Sequence, residues 1–276
     1  MDRATKQISD LLFTIANIGA LPIEKNFNSD SLTSFCANNY GFVIGIVICY
    51  ATFLVGGTRL MKFMKPFDLK MPLALWNVGL CVFSFLGMCR TVPYILATIM
   101  TNDYERTVCD APTQWGNGTC GFWVMLFIFS KIPELIDTMF IVLRKRPLIF
   151  LHWYHHITVL LFCWNAYATR SGTGLYFVAM NYSVHALMYG YYALQAMNVS
   201  KGFPVIMITL SQILQMFIGT FVCISAWYFM LSGKTCHNDI SNLIAGGAMY
   251  SSYLYLFVEF AFNKFGRKVK KEKKIE

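Results

Sequence analysis

The chain has 276 residues, 56% of them hydrophobic, 16% aromatic and only 13% charged, with a formal net charge of +9 and a mean hydropathy of +0.49. Water-soluble domains carry about 25% charged residues, so this composition excludes disorder, a coiled coil, a basic soluble nucleic-acid-binding domain and an ordinary cytosolic enzyme. It points to one polytopic membrane domain over residues 1–276, and the 9 scattered cysteines are too few for a disulfide scaffold.

A membrane-crossing helix needs about 20 apolar residues. Residues 1–39 read as a polar head, with no removable signal peptide. Seven apolar runs follow, at 40–57, 73–93, 120–143, 151–169, 174–197, 204–231 and 243–262. The longest interval is 94–120, too short for a soluble domain, and the runs are too long and too uniform for barrel strands. The expected fold is all-α, with seven transmembrane helices and a basic tail over 264–276.

Orientation follows from the positive charge, which collects on cytoplasmic loops. Arg59, Lys62, Lys65 and Lys70 follow the first run, Arg144, Lys145 and Arg146 the third, and Lys201 the fifth. The tail has seven basic residues against two acidic, whereas the head nets −1 and the 94–120 interval −2. The N-terminus is therefore expected in the lumen and the C-terminus in the cytoplasm. Asn117-Gly118-Thr119 is then a lumenal glycosylation sequon. Asn198-Val199-Ser200 would face the cytosol and Asn181-Tyr182-Ser183 lies within a helix, so both stay bare. The ending Lys273-Lys274-Ile275-Glu276 is similar to the dilysine retrieval signal of endoplasmic-reticulum membrane proteins.

Polar side chains inside the spans are costly and mark function. Lys131-x-x-Glu134-x-x-Asp137-Thr138 sets one polar stripe on one face of the third helix. His152-x-x-His155-His156 opens the fourth. Asn181, His185, Met188, Tyr189 and Tyr192 share a face of the fifth, and Thr209, Gln212 and Gln215 a face of the sixth. Any one cluster could serve interhelical hydrogen bonding. Together, a carboxylate pair, a lysine and four histidines in one layer make an interior site. No cysteine belongs to it, and Cys163 and Cys223 read as packing residues. A neutral imidazole accepts acyl groups and passes them on. A metal is the rival use, since His152 and His156 could hold zinc and histidine boxes occur in membrane di-iron desaturases and hydroxylases. With 5 histidines in all, and His237 in a loop, a metal-dependent lipid oxygenase or desaturase is the weaker reading. A seven-helix receptor or transporter is third, and no repeat relates the two halves.

The strings KIPELIDTMFIVLRKRP, LHWYHH, NYSVHALMYGYYAL and TLSQILQ occur in that order between Pro72 and the tail. They are similar to the successive signatures of the very-long-chain fatty acid elongases, the 3-oxoacyl-CoA synthases of the endoplasmic reticulum, and closest to the subfamily that acts on saturated and monounsaturated chains. The resemblance implies seven helices, six of them around a narrow acyl tunnel closed toward the lumen. It implies condensation of acyl-CoA with malonyl-CoA, releasing CO2 and CoA, with no cofactor. His155 would be the nucleophile of an acyl-histidine intermediate, with His185 across from it for proton transfer or oxyanion stabilisation. His152 and His156 would orient them, and Lys131, Glu134, Asp137, Thr138, Asn181, Tyr189, Tyr192, Gln212 and Gln215 would complete the substrate site. Arg144, Lys145, Arg146 and Lys201 would meet CoA phosphates. Cys109 and Cys236 match family positions that form a disulfide, with Cys109–Cys120 and free thiols as alternatives. The implied partners are the two acyl-CoA substrates, membrane lipid and the other enzymes of the elongation cycle, with a homo-oligomer left open.

Overall fold

The computed structural model describes residues 3–113 and 115–266, and no strand occurs among them. Lys273 and Lys274, and with them the retrieval signal, lie outside the described residues. The head folds as α1 (Arg3–Asn17), α2 (Pro22–Lys25) and α3 (Asp30–Asn38). Then come α4 (Tyr40–Leu60), α5 (Lys70–Thr101), the short α6 (Tyr104–Cys109), and α7 (Gly118–Ser130) and α8 (Ile136–Leu143) joined through a 3-10 turn at Pro133–Leu135. The last four are α9 (Phe150–Ala168), α10 (Gly174–Ala196), α11 (Val205–Leu231) and α12 (Ile240–Ala261).

Every predicted apolar run is helical, and among the described residues three helices, α4, α5 and α11, are long and apolar enough to cross a membrane. The outer face of α11 exposes Leu210, Leu214, Phe217, Phe221 and Ile224 at three- and four-residue steps, which is the stripe a helix turns toward lipid.

Three sequence expectations need correction. The head is not merely polar. Arg90 of α5 donates from Nη1 to the carbonyls of Ala16 (3.2 Å) and Ile18 (2.6 Å) at the end of α1. Glu24 is 5% exposed; it accepts from Trp123 Nε1 at 2.8 Å and lies 3.6 Å from Arg90. The head is thus pinned to α5 and α7. Second, α5 runs past Pro93 to Thr101, because α1 packs along this end, with Phe13 edge-on to Tyr94 at 5.0 Å. Third, the 120–143 run is not one helix. Pro133 has no N–H for the carbonyl four residues back and its ring crowds that turn, so the helix breaks after Ser130 and resumes at Ile136.

The rest of the bundle is held by close approach. On α5, Gly87 faces Tyr182 of α10, and a Cβ at Gly87 would stand 2.4 Å from the tyrosine ring. The Tyr182 hydroxyl donates to the Trp123 carbonyl at 2.9 Å, joining α10 to α7. At one end of the bundle Cys109 and Cys236 form a disulfide, S–S 2.02 Å. Around it the His237 amide donates to the Cys109 carbonyl at 2.7 Å and the Gly172 amide to the His237 carbonyl at 3.0 Å. A Cβ at Gly172 would come within 2.7 Å of the Asp110 carbonyl oxygen, so the α9–α10 turn passes there only as glycine. The disulfide closes a separation of 127 residues. Cys109→Ser is expected to cost roughly 2–5 kcal/mol, read as a lower Tm in detergent with the site chemistry preserved.

Candidate active site

The break between α7 and α8 creates the buried ion pair. Lys131 caps α7 and Glu134 sits in the 3-10 turn, 2% and 3% exposed. Lys131 Nζ donates to both carboxylate oxygens of Glu134, at 2.7 and 2.9 Å, and to Asn181 Oδ1 at 3.2 Å. All three ammonium donors are therefore used. Ser130 Oγ adds a 2.9 Å bond to Glu134 Oε1, and the ammonium lies 4.1 Å from the centre of the Phe127 ring. The corrected stripe is thus a turn that delivers Lys131 and Glu134 inward together.

This network fixes His185 on α10. Because Asn181 Oδ1 accepts from Lys131, its amide nitrogen is what meets His185 Nε2, at 3.1 Å. An amide N–H only donates, so Nε2 is the acceptor and the ring proton sits on Nδ1, which lies 4.0 Å from Glu134 Oε2. Asp137, three residues on, is engaged elsewhere: it accepts from Trp76 Nε1 at 2.6 Å and from the Tyr189 hydroxyl at 2.7 Å. Tyr189 in turn stands edge-on to His185, centroids 5.3 Å apart.

The three histidines of α9 divide in the same way. His152 Nε2 is 2.9 Å from Thr138 Oγ1, which also bonds the Tyr50 hydroxyl at 2.7 Å. His156 is buried, packed against His152 at 4.5 Å between centroids and against Tyr50 at 6.5 Å. Among the described residues no hydrogen bond to the imidazole of His155 or His156 is found; His155 differs in being half-buried rather than buried, and its ring contacts are His156 at 5.5 Å and Tyr253 at 5.1 Å. It lines a cavity of about 180 Å³ with His152, His156, Asn181 and His185. Tyr192, Gln212 and Gln215 also line that cavity. The glutamines make no bridge to the histidines; Gln212 Nε2 rests 3.4 Å from Met188 Sδ. Among the described residues no three of His, Cys, Asp and Glu are gathered as a metal-holding group.

Two further cavities flank this one. Away from the disulfide, a space of about 690 Å³ carries Lys70, Arg144 and Arg146 on its wall and shares Asp137, His152, Tyr189 and Tyr192 with the histidine cavity. Lys145 points into a neighbouring hollow beside Phe67 and Asp68, and Lys201 is exposed on the turn before α11, on the wall of none of these. Toward the disulfide end, a cavity of about 280 Å³ is lined by Val124, Phe127, Ile128, Phe162, Cys163 and Val178. Its rim carries Asp30 and Arg170, which are ion-paired, and the Arg170 hydrogen bond, with that of Asn28, holds the Asp30 carboxyl below its ordinary value. It shares no lining residue with the histidine cavity; Lys131 and Phe127 stand between them. Asn117, at the start of α7, is exposed and accepts from the Ser29 amide and hydroxyl at 2.9 and 3.0 Å.

Sequence reasoning passed over Ser130, Trp76, Tyr50 and Tyr253. Each touches a site residue from outside the four clusters, and single polar atoms on otherwise apolar helices leave no periodic signal.

Residues 35–274 match the ELO: GNS1/SUR4 family. The chain is 43% identical over 255 residues to "Very long chain fatty acid elongase 6" of Gallus gallus, covering 92% of this chain and 95% of that protein. It is 43% identical over 256 residues to the protein of the same name from Homo sapiens, with the same coverage of both chains. With the Drosophila melanogaster protein of that name the identity is 38% over 245 residues, covering 88% of this chain and 78% of that one.

Proposed function

The chain belongs to the ELO: GNS1/SUR4 family and is a multi-pass membrane enzyme of fatty acid elongation, and from that premise we propose how its own residues carry out the condensation. The substrates are acyl-CoA and malonyl-CoA. The His155 imidazole attacks the thioester carbonyl of acyl-CoA; the new C–N bond replaces the C–S bond, and CoA leaves with a proton. Malonyl-CoA then loses CO2, and the resulting enolate carbon attacks the acyl-imidazole. A C–C bond forms, the C–N bond breaks, the leaving imidazole takes up one proton from water at the cavity mouth, and 3-oxoacyl-CoA leaves with His155 restored.

The observation that carries this reading is the contrast among the four histidines. His152 and His185 are hydrogen-bonded and His156 is buried against His152, while His155, half-buried, presents to the cavity a ring with no hydrogen bond among the described residues. His185, hydrogen-bonded to Asn181, stabilises the oxyanion or moves the proton at the same carbonyl. Arg144, Arg146 and Lys70, on the wall of the connected outer space, receive the CoA phosphates. Lys145 and Lys201 set topology rather than bind. The apolar cavity beyond Phe127 takes the far end of the acyl chain. Along α9 the steps from His155 to Ala168, the helix end, span about 20 Å at 1.5 Å per residue, a length fit for a long acyl chain.

The same reading has all seven apolar runs crossing the endoplasmic-reticulum membrane, with the disulfide and Asn117 in the lumen and the basic mouth in the cytosol. Charge bias supports it, as does CoA being a cytosolic substrate. Incorporation of labelled malonyl-CoA by the purified protein tests the function, with acyl-CoAs of graded length and unsaturation as acceptors. The expected result is incorporation that peaks at a long saturated or monounsaturated chain. Equal incorporation at every length would contradict a chamber of fixed length.

A further inference from the structure

A nucleophilic histidine is ordinarily aimed by a hydrogen bond to its second ring nitrogen. His155 has none among the described residues, so something else must hold the ring. Tyr253 of α12 lies against it. Tyr253 is 1% exposed, with its ring centroid 5.1 Å from that of His155 and the planes inclined by 44°. Contact at that range restricts rotation of the imidazole about its side-chain bonds.

The tyrosine is itself fixed from three directions. Its hydroxyl is hydrogen-bonded to Thr158 Oγ1 and lies 3.3 Å from the His155 carbonyl oxygen. Thr158 Oγ1 is also 2.6 Å from the Tyr154 carbonyl oxygen. Whichever way the two hydroxyl protons point, the chain ends on a backbone carbonyl of α9, in the turn that bears His155. Tyr154 stands edge-on to the Tyr253 ring at 5.8 Å and 89°, and its hydroxyl pairs with Ser252 Oγ at 3.0 Å. Two successive residues of α12, Ser252 and Tyr253, therefore grip the α9 turn on which the nucleophile sits.

We propose that Tyr253 is the positioning residue for His155: its ring aims the imidazole at the acyl thioester, and its hydroxyl only locks α12 to α9. The inference rests on the proposed acylation of His155 and adds the device that orients it.

The test uses the full-length protein in detergent with hexadecanoyl-CoA alone. CoA release is followed over a range of substrate concentrations, and the mass of the His155 peptide is determined in parallel. Tyr253→Phe and Thr158→Val keep the aromatic face and break the hydroxyl chain, so both are expected to acylate at the wild-type rate with a lowered Tm. Tyr253→Met fills similar volume with a flexible chain and no flat face. It is expected to lower the maximal acylation rate about tenfold or more, the scale of a misaimed reacting group, with the half-saturating concentration unchanged. Tyr253→Leu makes the same comparison should the Met variant not fold. An adduct on wild-type His155 together with wild-type rates in the Met and Leu variants overturns the proposal alone. So does a Phe variant as slow as Met, or a Met variant whose rate and half-saturation shift together as a loosened site would. A wild-type protein that releases no CoA and carries no adduct overturns the acylation reading, and this proposal with it.

Discussion

Alanine at position 155 is expected to abolish two events at once, the release of CoA from acyl-CoA alone and the formation of 3-oxoacyl-CoA. Both follow if the imidazole carries the acyl group: of the two imidazoles in the cavity without a hydrogen bond among the described residues, His155 is half-buried and His156 buried. Wild-type enzyme should release CoA before malonyl-CoA is added and show ping-pong kinetics. His185→Ala should slow condensation severely, since it removes the group that Asn181 holds at the same cavity. A direct attack of the enolate on bound acyl-CoA makes the opposite forecast: no CoA until both substrates are present, and a ternary complex. Mass spectrometry after incubation with acyl-CoA alone separates the two routes. An unmodified His155 peptide from active enzyme, under conditions that preserve acyl-imidazole, excludes the covalent one.

Lys131→Met is expected to be the most destabilising single change in the site. Lys131 and Glu134 are both almost fully buried, and removing the ammonium leaves a carboxylate with Ser130 as its nearest remaining donor. Breaking one side of a buried ion pair costs about 3–5 kcal/mol. The loss would also free Asn181 Oδ1 and so loosen the amide that fixes His185. Lys131→Met combined with Glu134→Met should recover most of the Tm, because two apolar chains replace a desolvated pair. It should not recover condensation, since His185 is still without its oriented partner. Thermal unfolding and labelled malonyl-CoA incorporation on the two variants measure these effects separately. An unchanged Tm for Lys131→Met would show that the pair contributes nothing to stability.

Much of this architecture is legible from residue order. Apolar runs report helices because burying a backbone in an apolar environment requires its hydrogen bonds to be made internally. Polar residues stand out against such runs, so the four clusters that line the histidine cavity could be found by spacing alone. The family resemblance is what implies separate roles for His155 and His185, which spacing does not distinguish from His152 and His156. Where the reading went astray, the cause was local chemistry or packing. Pro133 broke a run that composition treated as one helix. The head was read by its charge, while its fold depends on Glu24, Arg90 and Trp123 meeting across long stretches of chain.

The sequence by itself therefore determined the helical class, the membrane character and the polar groups available for chemistry, because each is a property of composition and period along one helix. Tertiary structure decided which of those groups are spent on one another and which face the cavity unbonded. Lys131, Glu134, Asn181 and His185 are linked in sequence by hydrogen bonds and close approach, Thr138 binds His152, His156 is buried against His152, and His155 meets the cavity half-buried with no hydrogen bond to its ring among the described residues. That division depends on how α8, α9, α10 and α12 are rotated against each other. The rotation is set by close contacts such as Gly87 against Tyr182 and Tyr253 against His155. A hydrogen bond or ring contact extends over a few ångströms between residues far apart in the chain, and no period within one helix encodes it.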